Sequence, residues 1–292
     1  MPRGDMMNWP EVVFQYDETF DGFLCCVYES YVHKEFPIAF CGDEDCWSLY
    51  SVRYVPTNIA HARRVYRSIV RLSQNAADLL RRAFLTCLED KEIHLYAFIR
   101  KLYDDGPAFL RNRADETYYP IAKAVRHMNG ELEKLRGFIR FSDYDGVLGS
   151  EIEPKNRVLP LLRRHFCDRY ANESFFIYDR THRELLVYSG GSSRLLPVDN
   201  LALNPPDEQE VQYRTLWKRF FDTVAIAQRE NPRCQNSFLP KRYRGTMTEF
   251  LPADYGVTPK ADAALPGSAA PAGTPAPGTH PAPVPPAVVS GA

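Results

Sequence analysis

The sequence predicts an α+β fold in which an antiparallel sheet of two hairpins, ordered strand-strand-helix-strand-strand, packs with several helices. Three observations lead there. Ile121, Val125, Met128, Leu132 and Leu135 recur at spacings of four and three, which lays one apolar stripe along a helix. At Gly137 the apolar period changes to two, and Asp145-Gly146 places a hairpin turn signal between Gly137–Phe141 and Val147–Glu153. From about residue 258 the chain is Pro, Ala, Gly and Thr with little to bury. Residues 1–257 are therefore expected to form a single α+β body, with a point of subdivision near 136, and 258–292 a disordered, locally polyproline-like tail.

The elements follow in order. Val12 to Tyr16 reads as an opening strand, and Asp21 is placed to cap a helix carrying Phe23, Leu24, Val27, Tyr28 and Tyr31. Leu49 to Val55 is a second strand. Thr57 or Asn58 then caps an arginine-bearing helix with Ile59, Val65, Ile69 and Leu72 on its apolar side, and further helices run through Ala83–Leu88 and Ile93–Tyr103. After the first hairpin, Pro154 ends a strand and Pro160 sits where the first turn of a helix tolerates it. Leu159, Leu162, Phe166 and Tyr170 form that helix's buried face. Phe175–Asp179 and Glu184–Tyr188 make the second hairpin, and Arg194–Val198 a further strand. A last helix, Asp207 to Arg229, is expected to turn Tyr213, Trp217, Phe220 and Val224 inward.

With 292 residues, 45% hydrophobic, the chain can bury a sizeable core. Its net charge of -1 means that any surface for nucleic acid must be local. Charge is unevenly spread: acids dominate up to Ala60, whereas His61 to Lys101 is rich in arginine (Arg63, Arg64, Arg67, Arg71, Arg81, Arg82). That alternation reads either as solvated helix faces or as an anion-binding surface. No run approaches the length of a membrane span and no signal peptide opens the chain, so a cytoplasmic location without membrane contact is expected. Seven scattered cysteines suit reduced thiols. Cys25, Cys26, His33, Cys41 and Cys46 lack a convincing zinc spacing, and no phosphate loop, dinucleotide fingerprint or HExxH pattern occurs, so neither metal nor cofactor is expected.

Charged residues inside otherwise apolar segments are the candidate site. Arg140 shares a strand face with Phe138. It reads either as a cross-strand partner of Glu151 or Glu153, or as a guanidinium offered to phosphate and oriented by a carboxylate. His165 lies beside Arg163, Arg164 and Arg169 on one helix, a solvated basic face or a phosphate track. Asp179 closes its strand, either pinning the turn Arg180–Arg183 or acting as a general base. Arg233, Lys241, Arg242 and Arg244, interleaved with Phe238 and Tyr243, suit backbone and stacking contacts to single strands, or an arm that packs its aromatics back on the body.

Several of these segments together resemble a known family. They are Tyr16-Asp17-Glu18-Thr19-Phe20-Asp21-Gly22-Phe23-Leu24, Gly137-Phe138-Ile139-Arg140-Phe141, Ile152-Glu153-Pro154, Val158-Leu159-Pro160-Leu161-Leu162, Phe176-Ile177-Tyr178-Asp179 and Leu239-Pro240-Lys241-Arg242-Tyr243. The likeness, from Val13 to about Tyr243, is to a bacterial family known as DNA metabolism or DNA repair proteins of undefined mechanism. It implies DNA as a partner and a radical SAM protein as a neighbour. Some members of that family carry a uracil-DNA glycosylase-like domain at the C-terminus; this chain has no Gly-Glu-x-Pro-Gly segment and no cysteine quartet after Tyr243, so that activity is not carried over. Glu133 also stands where the family has histidine. The expected role is a DNA-binding or adaptor component acting with the radical SAM partner. The alternatives are an enzyme using Arg140, Glu153, His165 and Asp179 on DNA or a nucleotide, and a scaffold that never touches nucleic acid.

Overall fold

A computed structural model describes residues 9–42, 49–203, 206–226 and 231–252. The chain opens on a parallel sheet, in which β1 (Glu11–Gln15) lies between β2 (Phe36–Cys41) and β3 (Ser51–Tyr54). Its central strand buries Val12, Val13 and Phe14. Helix α1 (Phe20–His33) is the crossover from β1 to β2. Thr19, not Asp21, caps it: the Thr19 hydroxyl accepts from the Gly22 amide at 2.9 Å. Asp17 in turn accepts from the Thr19 and Thr57 hydroxyls, which ties this cap to the entry of the next helix. Asn58 caps α2 (Ile59–Leu72), whose inward side is Ala62, Val65 and Ile69. Helices α3 (Gln74–Phe84) and α4 (Lys91–Asp105) follow, and α4 seals the layer with Leu95, Phe98, Ile99 and Leu102.

Helix α5 (Tyr118–Phe138) carries the expected stripe of Ile121, Val125, Met128, Leu132 and Leu135. It also continues through Gly137 and Phe138, the Ile139 amide still reaching Leu135 O at 3.1 Å, so Gly137–Phe141 is not a strand. The period of two there has another cause. Phe138 packs on Tyr243, and Phe141 on Phe166, Tyr170 and Phe175, as the chain leaves the helix through the core.

The hairpin itself is displaced: β4 (Ser142–Tyr144) pairs antiparallel with β5 (Val147–Ile152). Asp145 and Gly146 both take positive φ, 53° and 85°, as a two-residue turn of the favoured twist requires. Helix α6 (Leu159–Arg169) buries Leu159, Leu162 and Phe166 and delivers β6 (Phe175–Asp179), which pairs with β5 in parallel. β7 (Glu184–Ser189) and β8 (Ser192–Pro197) then add antiparallel, in the order β4-β5-β6-β7-β8. The protein is thus mixed α/β, and the wholly antiparallel sheet expected from the sequence is corrected. A helix between two hairpins returns the chain to the end from which the first hairpin's last strand started, and that makes the central pair parallel.

Helix α7 (Glu208–Val224) is capped by Asp207 and departs from expectation in its orientation. Tyr213, Trp217, Phe220 and Val224 are exposed, with Tyr213 and Phe220 each at 56%. The helix is held instead by its polar side. Glu210 is buried and pairs with Arg214 at 2.8 Å, and Arg214 donates to Ser142 Oγ on β4. Helix α8 (Pro232–Phe238) and short 3-10 turns at Lys241–Thr246 and Thr248–Phe250 complete the described chain. Arg229 and the tail 258–292 lie outside the described residues.

One apolar core runs from Val12 to Tyr243. Cys25 and Cys26 are buried on α1, whereas Cys41 is disulfide-bonded, which corrects the expectation that every cysteine is reduced. No helix among the described residues is long and apolar enough to cross a membrane. Leu162→Ala and Phe166→Ala each truncate a side chain at 2% exposure or less. Each is expected to lower unfolding free energy by about 2 to 5 kcal/mol, read by urea denaturation with unchanged m-value.

Candidate functional site

A polar cavity of about 620 Å³ has walls from β4, β5, the end of β6, the segment after β8 and the C-terminal turns. Three arginines line it: Arg140, Arg180 and Arg214. Each is oriented by a carboxylate. Arg140 meets Glu249 with two N–H groups, Nη2 to Oε1 at 2.8 Å and Nε to Oε2 at 3.2 Å, while its Nη1 donates to Gly137 O at 2.9 Å. Glu249 is 6% exposed and also accepts the Trp217 indole N–H. The Trp217 ring lies 5.9 Å from the Arg140 guanidinium. Arg214 Nε donates to Glu210, whose other oxygen accepts from the Asp143 amide at 3.1 Å, so β4 and α7 are locked together. Arg180 stands in the β6–β7 turn, half exposed, 3.0 Å from Glu153 and 4.0 Å from Glu151.

Hydroxyl side chains line the same cavity. Ser142, Ser150, Thr246 and Thr248 line the walls with Tyr144 and Tyr178. Tyr178 is fixed by donating to Val198 O and Asp199 O, and burial raises the Tyr144 phenol above its ordinary pKa. Gly149 lets the wall close. A Cβ there would meet the Phe176 ring at 2.3 Å and the Tyr144 ring at 2.7 Å, so only glycine allows these two rings to approach across β5. Forked donors held in place by carboxylates, with hydroxyls beside them, suit a planar or tetrahedral oxyanion such as phosphate.

The four residues singled out from the sequence do not meet in one place. Arg140 lines the cavity, but its partner is Glu249 and not Glu151 or Glu153. Glu153 is exposed and reaches the cavity only through Arg180. His165 is on α6, edge-on to Phe166, with Nε2 buried and without a hydrogen bond among the described residues. Burial first, then the Arg136 and Arg169 charges, lower its pKa. Asp179 is fully buried and accepts from the Thr181 and His182 amides, with His182 Nδ1 2.7 Å away. It pins the turn that presents Arg180, and so positions the cavity wall from behind.

The basic residues separate likewise. Arg163 donates to Ser193 on β8, Arg164 is exposed beside Asp168, and Arg169 lies over Tyr170. Arg242 reaches Glu131, and Arg244 holds Asn236 and Leu239 O with Phe250 beneath it, so both secure the C-terminal arm. Arg233 and Lys241 are exposed. Sequence reasoning missed Arg180, Arg214, Glu210 and Glu249. The Glu210–Arg214 spacing of four was a legible signal; Glu249, which is 109 residues from Arg140, left none.

Removing Glu249 should unbrace Arg140. Glu249→Ala is expected to cost about 2 to 3 kcal/mol by thermal or urea unfolding, because Arg140 keeps some solvent while losing its paired acceptor. Glu249→Gln should recover part of the loss.

No curated protein sequence matches the chain. A family model described as a domain of unknown function, DUF4130, matches residues 89–249. That interval begins just before α4 and ends on Glu249, and every cavity-lining residue except Leu251 and Pro252 falls within it. The matched span covers more than half of the sequence, and the chain belongs to this DUF4130 family of unknown function.

Proposed function

We propose that the protein is a nucleic-acid-binding component of DNA metabolism that recognises phosphate in the cavity of Arg140, Arg180 and Arg214 and works beside a radical SAM partner. The observation that carries the first part is the set of three cavity guanidiniums, each aligned by its own carboxylate. Such an arrangement loses little conformational freedom when an oxyanion docks. The resemblance of the central segments to DNA metabolism and repair proteins supports DNA as the source of that phosphate. The cavity volume also falls in the range of small-molecule sites, which favours a second reading, an enzyme acting on a nucleotide.

The adaptor part has separate support in α7. Its exposed Tyr213, Leu216, Trp217, Phe220 and Val224 form an aromatic and aliphatic face of the kind that protein interfaces favour.

Fluorescence anisotropy with labelled DNA at low salt should give micromolar binding that weakens steeply as salt rises. Arg180→Ala, which removes a half-exposed side chain, should weaken all sequences alike and reduce the salt slope by about 1. Absence of binding to any DNA form would leave the scaffold reading in its place, and competition by a mononucleotide at similar affinity would favour the enzyme. For the partner, co-expression followed by size-exclusion chromatography should give one joint peak, and Trp217→Glu/Phe220→Glu should split it. Two independent peaks for the wild-type pair, with or without DNA, would remove the adaptor role.

A further inference from the structure

A second cleft, most of whose lining precedes the DUF4130 interval, lies between α1, α2 and α4. It has a volume of about 510 Å³ and is walled by aromatic rings: Trp9, Tyr28, Tyr31 and Tyr103. Val27 and Val65 form its floor, and Val32 stands exposed at its rim. The rings brace one another. Trp9 and Tyr103 each meet Tyr31 edge-on at 5.9 Å, and the Tyr103 hydroxyl bonds Ser68 at 2.5 Å. Tyr28 is stacked on His61 at 4.0 Å, with the Arg64 guanidinium 5.9 Å from its ring.

The arginines beside this cleft are arranged differently from those of the cavity. Arg64, Arg67 and Arg71 follow one another at spacings of three and four, so they share one stripe of α2, and Arg63 stands next to it. The helix contains no acidic residue. All four are exposed, and none makes an ion pair among the described residues, whereas the cavity arginines are each paired. Of the acids nearby, Asp104 lines the far wall and Glu29 is engaged with His33 and His61. A cationic stripe without ion-pair partners among the described residues, bordering a cleft of preformed aromatic walls, offers phosphate contacts and ring contacts side by side.

We propose that this face binds single-stranded nucleic acid, one unstacked base entering the aromatic cleft while the phosphates on either side lie along Arg63, Arg64, Arg67 and Arg71. The inference rests on the nucleic-acid reading given above and names the form of strand and a second surface for it. Base-on-aromatic contact tolerates any sequence, and the arginine stripe supplies the salt-dependent part of the affinity. A duplex keeps its bases stacked and cannot fill the cleft.

The test uses the full chain, a fluorescein-labelled oligothymidylate, and the same oligonucleotide carrying a fluorescent adenine analogue that dims when stacked. Wild-type protein should bind the single strand more tightly than a duplex of equal length and quench the analogue. Arg67→Ala/Arg71→Ala, both exposed positions, should lower affinity about tenfold and reduce the salt slope for the single strand by about 1.4. Val32→Glu, which sets a negative charge at the rim, should abolish the quenching. Circular dichroism melts of both variants should match wild type. Undiminished affinity and quenching in both, with binding lost in Arg180→Ala, would place the strand on the cavity alone and overturn this proposal while leaving the cavity reading standing. Failure of the wild type to bind any oligonucleotide would overturn both.

Discussion

The arrangement of this protein depends on one buried carboxylate. Glu131, on α5 and 2% exposed, accepts from the Lys155 and Asn156 amides at 3.1 and 2.9 Å and from Asn156 Nδ2 at 2.6 Å. Arg242 reaches it at 2.9 Å, and the Tyr243 hydroxyl completes the shell. A carboxylate taken out of water is costly unless its oxygens are fully engaged, and here they are engaged by groups from two separate parts of the chain. The segments those groups belong to are therefore fixed relative to α5. Asn156 passes the constraint on by accepting the Cys87 amide, and Arg157 N reaches Leu85 O, so the end of α3 is held as well.

From this anchor the cavity follows. Arg242 and Tyr243 hold the C-terminal arm against α5, and six residues after Tyr243 the arm presents Glu249 to Arg140 and Trp217. On the opposite wall, Asp179 closes the β6–β7 turn that carries Arg180, and Glu210 couples α7 to β4. Each cavity arginine thus traces back to a carboxylate whose own placement is set by tertiary packing. The α2 stripe is different in kind. Its arginines need only the helix and an apolar side that faces inward, and among the described residues they stand without ion-pair partners beside rings that already brace one another.

Much of the local structure was legible. The α5 stripe, the buried side of α6, the Asp145-Gly146 turn, the Asn58 cap and the second hairpin all rest on interactions within a few residues, which period and turn chemistry report directly. The misreadings share a cause. Gly137–Phe141 alternates because Phe138 and Phe141 pack in different directions as a helix ends, and an alternation of that origin looks like a strand's. On α7, Tyr213, Trp217, Phe220 and Val224 repeat as a core stripe would, yet the helix is docked by Glu210 and Arg214; periodicity identifies an apolar face but not what covers it.

By itself the sequence determined the α5 stripe, the buried side of α6, the Asp145-Gly146 turn and the second hairpin, and that arginine is concentrated on α2, because those properties depend on neighbours one turn or one strand away; the helix expected at Ala83–Leu88 lies instead at Gln74–Phe84. Tertiary structure alone decided that the β5–β6 pair is parallel, that Arg140 answers to Glu249 and not to Glu151 or Glu153, that Asp179 lies beneath its turn, and that His165 stands apart from the cavity. The physical reason is distance along the chain. A carboxylate 109 residues from its guanidinium leaves no periodicity to read, and its choice of partner is made only when burial forces both charges to find an acceptor and a donor in the same place.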